Sequence, residues 1–186
     1  MKIYVKNMVS LRCKMLVKEK LKRLGLTYLS VDLGEVEIID DITDHQKEQL
    51  KASLMESGLE LMDDKKQILI EKIKAVIVEM VHYSDKLPKT NFSDYIGEKL
   101  HYDYTYLANL FSEVKGTTIE RFIIDHKIER VKELLIYDEL NLTEISYKLN
   151  YSSVAHLSNQ FKKVTGLTPS FFKKLKNKRR RPLEDI

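Results

Sequence analysis

The second half of the chain contains an internal repeat, and this repeat limits the possible folds more than any other feature of the sequence. Residues 107–122 align with residues 157–172 at an offset of 50, and residues 96–102 align with residues 145–151 at an offset of 49. The offset changes by one residue where a turn between two helices would absorb it. Two copies of one small structural unit are therefore expected. The identical pairs are Ile96/Ile145, Lys99/Lys148, Leu100/Leu149, Tyr102/Tyr151, Leu107/Leu157, Asn109/Asn159, Phe111/Phe161, Val114/Val164, Gly116/Gly166, Thr118/Thr168 and Phe122/Phe172.

Each copy has the pattern of an amphipathic helix, a short turn and a second helix. In the second copy we expect Thr143 to cap the first helix and Asn150, which tolerates a positive φ, to lie in the turn. Ser152 or Ser153 would then begin the second helix, which ends at Gly166. This layout is typical of DNA-binding helix-turn-helix units, although two similar helix pairs could also pack as a plain all-α domain. The exposed face of the second helix is predicted to carry Ser153, His156, Asn159, Gln160 and Lys163.

The stretch from Lys127 to Leu175, KIERVKELLIYDELNLTEISYKLNYSSVAHLSNQFKKVTGLTPSFFKKL, resembles the AraC-type transcriptional regulators. The resemblance covers residues 91–175. It implies seven helices in two helix-turn-helix subdomains, joined by a long helix over residues 119–135, with two reading helices in successive major grooves. The departures from the family pattern are Ser146 for Ala, Asn150 for Gly and Tyr151 for Phe, and none of them threatens the fold.

By position, the resemblance implies which side chains meet DNA in each copy. Asn binds adenine bidentately, and Ala or Val contacts the thymine methyl group, so an A·T-rich target is expected. Three lysines are candidates for phosphate contacts, with simple solvation as the alternative for each: Lys162, Lys163 and Lys173. The implied reading positions are Thr105, Ala108 and Asn109 in the first copy, and Val154, Ala155, His156 and Asn159 in the second. Ser153, on the predicted exposed face, is a further DNA-binding candidate.

Charge is distributed unevenly along the chain. Residues 1–64 carry 10 basic and 12 acidic side chains, whereas residues 142–181 carry ten basic side chains and a single acid, Glu144. A basic C-terminal end indicates a polyanionic partner, but charge alone does not distinguish DNA from RNA or from a membrane surface.

The first half of the chain has a different periodicity. Apolar alternation at Ile3 and Val5 predicts a strand, and two later β runs meet at Gly34. Between them a helix is predicted from apolar residues at helical spacing: Leu11, Met15, Val17, Leu21 and Leu24. A second helix, capped by Thr43 or Asp44, and a fourth strand over 59–62 complete the order βαββαβ of a ferredoxin-like fold. We predict an α+β ferredoxin-like domain over residues 1–64, a connecting helix over 65–87, an all-α DNA-binding domain with two helix-turn-helix units over 88–176, and a basic tail over 177–186.

The loop after the first predicted strand is similar in position to the metal loop of heavy-metal-associated domains, which are βαββαβ modules of copper chaperones. Ser10 stands where the first of the two cysteines is expected, and a hydroxyl is a poor ligand for a soft ion. Cys13 and Met8 are therefore weak metal candidates. Met8 is better explained as a core side chain, and Cys13 is either buried and inert or a thiolate stabilised by the helix N-terminus.

These observations favour a sequence-specific transcription regulator that is not an enzyme, since no catalytic constellation and no cofactor motif is found. The alternative is a metal chaperone or metal-sensing module whose helical half is a docking platform. Double-stranded DNA is the expected partner, with RNA polymerase and a homodimer through the N-terminal domain as further candidates. One cysteine allows no intramolecular disulfide, and the absence of a signal peptide or spanning segment predicts a cytoplasmic protein without a membrane partner.

Overall fold

The computed structural model describes residues 1–39, 41–84, 91–138, 140–175 and 182–183. The chain divides into an N-terminal unit, Met1–Ala75, and a C-terminal unit, Val76–Ile186. No helix within the described ranges has the length and apolar character needed to cross a bilayer. The predicted boundaries at 87/88 and 176/177, and all of the predicted tail except residues 182–183, lie outside the described residues.

The N-terminal unit has the order βαββαβ that the sequence pattern predicts. Its four strands form one antiparallel sheet in the order β2-β3-β1-β4. The elements are β1 (Lys2–Lys6), α1 (Leu11–Arg23), β2 (Tyr28–Asp32), β3 (Glu35–Ile38), α2 (Asp44–Met55) and β4 (Glu60–Met62).

The core of the N-terminal unit lies where alternate strand residues meet the two helices. Ile3 pairs with Val36 and Val5 pairs with Leu61 across the sheet, and all four side chains are buried. Because successive residues of a strand point to opposite faces, this register places one apolar row on one face. The helices cover that core with Val17, Leu21, Leu50 and Leu54, each of them fully buried.

The predicted apolar face of α1 is wrong in part. Leu11 and Met15 are 60% and 70% exposed, whereas Val17 and Leu21 are fully buried. Met15 and Val17 are two residues apart, about 200° around a helix, so they cannot share a face. The side chain of Thr43, not that of Asp44, caps α2 by accepting from the backbone N–H of Gln46.

The secondary-structure elements described in the C-terminal unit are all helices, and the long helix α6 is central to its core. The two ends of α6 contribute Phe122 and Leu135, both buried, and α6 ends two residues later than predicted, where Asp138 takes a positive φ. The helices are α3 (Lys65–Val78, which begins in the N-terminal unit and continues as a π-helical turn over Glu79–Tyr83), α4 (Phe92–Leu100), α5 (Tyr104–Lys115), α6 (Ile119–Tyr137), α7 (Leu142–Lys148), α8 (Val154–Thr165) and α9 (Pro169–Lys174).

Candidate nucleic-acid interface

Two helix pairs in the C-terminal unit have turns of the same construction. In the first helix pair, α4 and α5, His101 has φ +59° and the N–H of Tyr102 donates to Gly97 O at 3.2 Å. In the second helix pair, α7 and α8, Asn150 has φ +50° and the N–H of Tyr151 donates to the carbonyl five residues earlier at 2.9 Å. The sequence repeat is therefore also a repeat of backbone geometry.

The one-residue slip in the repeat lies in the turn of the second helix pair. In the first helix pair Tyr102 is followed directly by Asp103, the N-cap of α5. In the second, Ser152 stands between Tyr151 and the N-cap of α8, Ser153. Ser152 therefore has no counterpart in the first helix pair.

The start of each second helix is fixed by a capping side chain. The carboxylate of Asp103 accepts from the N–H of Tyr106 at 3.1 Å, and the hydroxyl of Ser153 accepts from the N–H of His156 at 3.0 Å. An N-cap satisfies a backbone donor that the helix itself leaves without an acceptor. Of the two serines that the sequence leaves open, Ser153 is the one that begins α8.

The expectation that Thr143 caps the first helix of the second pair is wrong. α7 begins at Leu142, and its N-cap is Asn141 in a reciprocal capping box with Glu144. The Asn141 side chain accepts from the Glu144 N–H at 3.0 Å, and the Glu144 carboxylate accepts from the Asn141 N–H at 2.7 Å. The Asn-x-x-Glu spacing is itself a capping signal, and it starts the helix two residues earlier than a threonine cap would.

Each second helix is held to the helix that follows it by an aromatic pair. Phe111 and Phe122 have ring centroids 5.4 Å apart at 61°, and Phe161 and Phe172 have centroids 5.6 Å apart at 67°. Edge-to-face geometry of this kind adds roughly 0.5–1.5 kcal/mol to the burial of each pair. These contacts place α5 against α6 and α8 against α9.

A hydrogen bond between Tyr104 and Glu120 adds to the attachment of α5. The Tyr104 hydroxyl donates to the Glu120 carboxylate at 2.5 Å. Partial burial and this bond raise the pKa of Tyr104, and the same bond lowers the pKa of Glu120. The first turn of α5 is thus tied to the first turn of α6.

Most of the predicted reading residues are exposed to solvent. Thr105 and Asn109 are exposed on α5, and Ala155, His156 and Asn159 are exposed on α8. Ala108 and Val154 are half-buried, and Ser153 is exposed while its hydroxyl caps α8. On each of the two helices, the exposed residues include an asparagine at the equivalent position of the repeat.

The three predicted phosphate-contacting lysines differ in their surroundings. Lys162 and Lys163 are exposed in the last turn of α8. Lys173 on α9 forms an ion pair with Asp138, just after α6. Lys173 would have to exchange this partner for a phosphate, so it is the weakest of the three candidates.

Aromatic side chains beside the reading residues were not predicted as part of the site. Tyr102 and Tyr106 stack with centroids 5.9 Å apart, and each is 49% exposed. In the second helix pair, Tyr151 contacts His156 edge-on at 5.3 Å, and the Ser152 hydroxyl lies 3.0 Å from His156 Nδ1. The repeat carries the signal that could have found them, because Tyr106 aligns with His156 at the offset of 50.

The loop of the N-terminal unit that resembles a metal loop has few ligands to offer. Met8 is 3% exposed and belongs to the core, and Cys13 is half-buried. The Cys13 Sγ lies 3.2 Å from Ser10 Oγ and 3.9 Å from the carbonyl of Asn7. Among the described residues, no cluster of three or more His, Cys, Asp or Glu side chains is placed to hold a metal ion.

Comparison with known proteins identifies the type of domain. Residues 96–175 match the helix-turn-helix domain family. This range contains both turns, so the C-terminal half of the chain holds a helix-turn-helix domain.

Several curated proteins are similar to this chain. The HTH-type transcriptional regulator YtdP of Bacillus subtilis is 25% identical over 100 residues, which are 54% of this chain and 13% of YtdP. The TetD protein of transposon Tn10 from Escherichia coli is 25% identical over 135 residues, which are 73% of this chain and 93% of TetD. The chain thus spans a small part of YtdP and nearly all of TetD.

A solved structure supports the fold. The C-terminal domain of AraT, a response regulator from Geobacillus stearothermophilus, superposes with a TM-score of 0.51 at 19% identity, covering 64% of this chain and 92% of that chain. At this identity the likeness concerns the fold alone.

Proposed function

We propose that this chain is a sequence-specific DNA-binding transcription regulator of the AraC type, whose helices α5 and α8 read two successive major grooves. The observation that carries the proposal is the repeated geometry of the two turns. Both helix pairs have a left-handed residue in the turn, a capped second helix and an exposed asparagine on it. A helix-turn-helix places the N-terminal residues of its second helix against base edges in the major groove.

The side chains along α8 are suited to different parts of a duplex. Asn159, with Asn109 at the equivalent position of α5, supplies an amide that hydrogen-bonds adenine bidentately. Ala155 is suited to contact a thymine methyl group, and the exposed Lys162 and Lys163 are suited to neutralise phosphates. An A·T-rich target fits this set of residues.

We further propose that the N-terminal unit is a ferredoxin-like domain that acts as a sensor or as a dimerisation element. The support is its order βαββαβ and its antiparallel sheet order β2-β3-β1-β4. RNA polymerase and a second copy of the chain are candidate protein partners. The rival function, a metal-binding module docked through its helical half, predicts Cu(I) binding without affinity for DNA.

Selection of bound sequences from random duplex DNA, followed by footprinting on the selected sites, tests the proposed regulator. We expect one chain to protect two major-groove segments about one helical turn, roughly 34 Å, apart on a non-palindromic site. Protection of a single groove would overturn the two-groove mode. Failure to select any duplex would overturn the proposed function.

A further inference from the structure

The side chain of Lys127 lies buried in the middle of the helix-turn-helix domain. Lys127 is on α6, between the two helix pairs in sequence, and it is 6% exposed. No carboxylate of the described residues forms an ion pair with it. Lysines are almost never buried in this way without a partner, so the contacts of its ammonium group call for an explanation.

Two aromatic rings, one from each helix pair, enclose the Lys127 ammonium. Its Nζ lies 4.1 Å from the ring centroid of Tyr151, in the turn of the second helix pair, and 5.5 Å from that of Phe92, at the start of α4 in the first. An ammonium group within about 6 Å of a ring centroid is attracted by the ring, most strongly when water is excluded. One charged group thus contacts both helix pairs.

The contact continues from Tyr151 to the second reading helix. Tyr151 is 5% exposed, and its ring meets His156 edge-on at 5.3 Å. The ring is therefore in contact with Lys127 and with a predicted reading residue. The corresponding tyrosine of the first helix pair, Tyr102, is 49% exposed, so the buried arrangement is specific to the second pair.

We infer that Lys127 is a positioning residue that couples the two helix pairs on DNA, by holding Phe92 and Tyr151 around one ammonium group and thereby fixing the placement of α8 relative to α4. This inference rests on the proposed two-groove binding. Because the shared contact fixes the two helix pairs relative to each other before DNA binds, binding of one pair to its groove segment places the other pair at the next segment.

The charge on Lys127 has opposite effects on stability and on coupling. Burial lowers the pKa of Lys127 to about 8, because removing the ammonium from water disfavours its charged form. The folded chain then loses this proton near pH 8, whereas the unfolded chain keeps it to about pH 10.4. Between these values the unfolded state binds more protons, so the Lys127 contribution to the free energy of unfolding rises with pH while the cation contact is lost.

The test compares wild type with Lys127→Met, which removes the charge and keeps most of the volume, and with Lys127→Arg, which keeps the charge. Affinity is measured for a selected duplex and for two matched duplexes, each with one groove segment scrambled. The coupling is the gain in affinity that the second segment adds when the first is present. This ratio cancels the uniform loss expected from removing a positive charge near DNA.

We expect Lys127→Met to lower the coupling by about 3- to 10-fold. The ratio of its affinities for the two single-segment duplexes should stay nearly the same as in wild type. The variant should unfold at a temperature no lower than that of wild type at pH 7. Lys127→Arg, which keeps the positive charge, should keep the coupling of wild type. Phe92→Leu, which removes one ring at a half-buried position, should lower it in the same direction.

A pH series supplies a readout that a merely structural role would not give. As pH rises through 8, the wild-type coupling should fall, whereas that of Lys127→Arg should stay level. Burial raises the pKa of Tyr151, so this ring keeps its proton over the series. If the variants lose equal affinity for all three duplexes, or keep the wild-type coupling, the inference is wrong. A wild-type chain that gains nothing from the second segment would overturn the proposed two-groove mode, and this inference with it, while leaving DNA binding itself in place.

Discussion

Asn159 and Lys163 lie four residues apart on α8, both exposed, and they are suited to different parts of a duplex. An amide carries a donor and an acceptor in one plane and can match the edge of adenine, whereas an ammonium group neutralises any phosphate. The first contact distinguishes sequences and the second does not. Replacing Asn159 and Lys163 one at a time therefore gives a matched pair of variants on one helix.

Asn159→Ala should relax the base preference at one position of the site and cost about 1–3 kcal/mol of binding free energy on the preferred sequence. Lys163→Ala should weaken binding to all duplexes similarly and reduce the slope of log K against log salt by about 1. Both are measured by fluorescence anisotropy on a panel of single-base variants at several salt concentrations. An unchanged base preference in Asn159→Ala would mean that α8 is not the reading helix.

Ser10→Cys tests the chemistry of the metal-like loop. Ser10 Oγ already lies 3.2 Å from Cys13 Sγ, so a second thiolate at this position would complete a pair of soft ligands for Cu(I). We expect the variant to bind Cu(I) much more tightly than wild type in a titration against a competing chelator. Equal, tight binding by both as monomers would contradict the view that one chain lacks a bis-thiolate site. Metal-dependent dimerisation of wild type would instead indicate two Cys13 residues sharing one ion.

At the residue scale, the sequence predicts the helix face on which a residue lies better than it predicts the contacts of that residue's side chain. The repeat and the family resemblance place Asn109 and Asn159 on exposed helix faces, since their spacing relative to buried leucines is fixed by the helical period. They do not reveal the ion pair of Lys173 with Asp138 or the rings around Lys127. Those contacts join residues from different elements, and sequence spacing carries no information on how elements pack.

The helices and strands themselves follow from local signals to a large extent. Gly116 and Gly166 end α5 and α8 in the left-handed conformation, and Thr118 and Thr168 begin the helices that follow. Where two capping residues compete, the sequence is ambiguous. Thr143 is a good cap, but Asn141 with Glu144 satisfies two backbone groups at once and starts α7 earlier. The predicted face of α1 is wrong in part because Leu11 and Met15 form a second apolar row, which is exposed.

Ser153→Ala should destabilise the C-terminal unit by about 0.5–2 kcal/mol, because the His156 N–H at the start of α8 loses its acceptor. The matched control is Ser152→Ala, one residue earlier. Among the described residues its exposed hydroxyl is hydrogen-bonded to the side chain of His156 and to no backbone group, so the change should be within about 0.5 kcal/mol. Urea unfolding followed by circular dichroism measures both. Equal losses in the two variants would mean that Ser153 is not the cap that sets the start of α8.

At the scale of the whole molecule, both helix pairs, and with them the two proposed reading helices, lie within one compact unit of the chain. α6 lies between the helix pairs in sequence, and it packs against α5 of the first pair and against α7 and α8 of the second. Phe122 of α6 meets Phe111 of α5. Two units on a common rigid helix have a fixed separation, unlike two units on a flexible linker. The distance between the two groove segments of the target should therefore be fixed as well.

Insertion of base pairs between the two groove segments of a selected site distinguishes a fixed arrangement from a flexible one. An insertion of about 5 base pairs turns the second segment to the opposite side of the duplex, and one of about 10 returns it to the same side but a full helical turn further away. If α6 fixes the spacing, both insertions should reduce binding to the affinity of a site with one segment. If the helix pairs moved independently, the longer insertion would restore much of the affinity, since only the side of the duplex that the second segment faces would matter.

The measurement is a gel-shift titration of the three duplexes at one salt concentration, with a single-segment duplex as the lower reference. Recovery at the longer insertion would contradict a rigid two-groove reader, and it would also remove the geometric basis for coupling through Lys127.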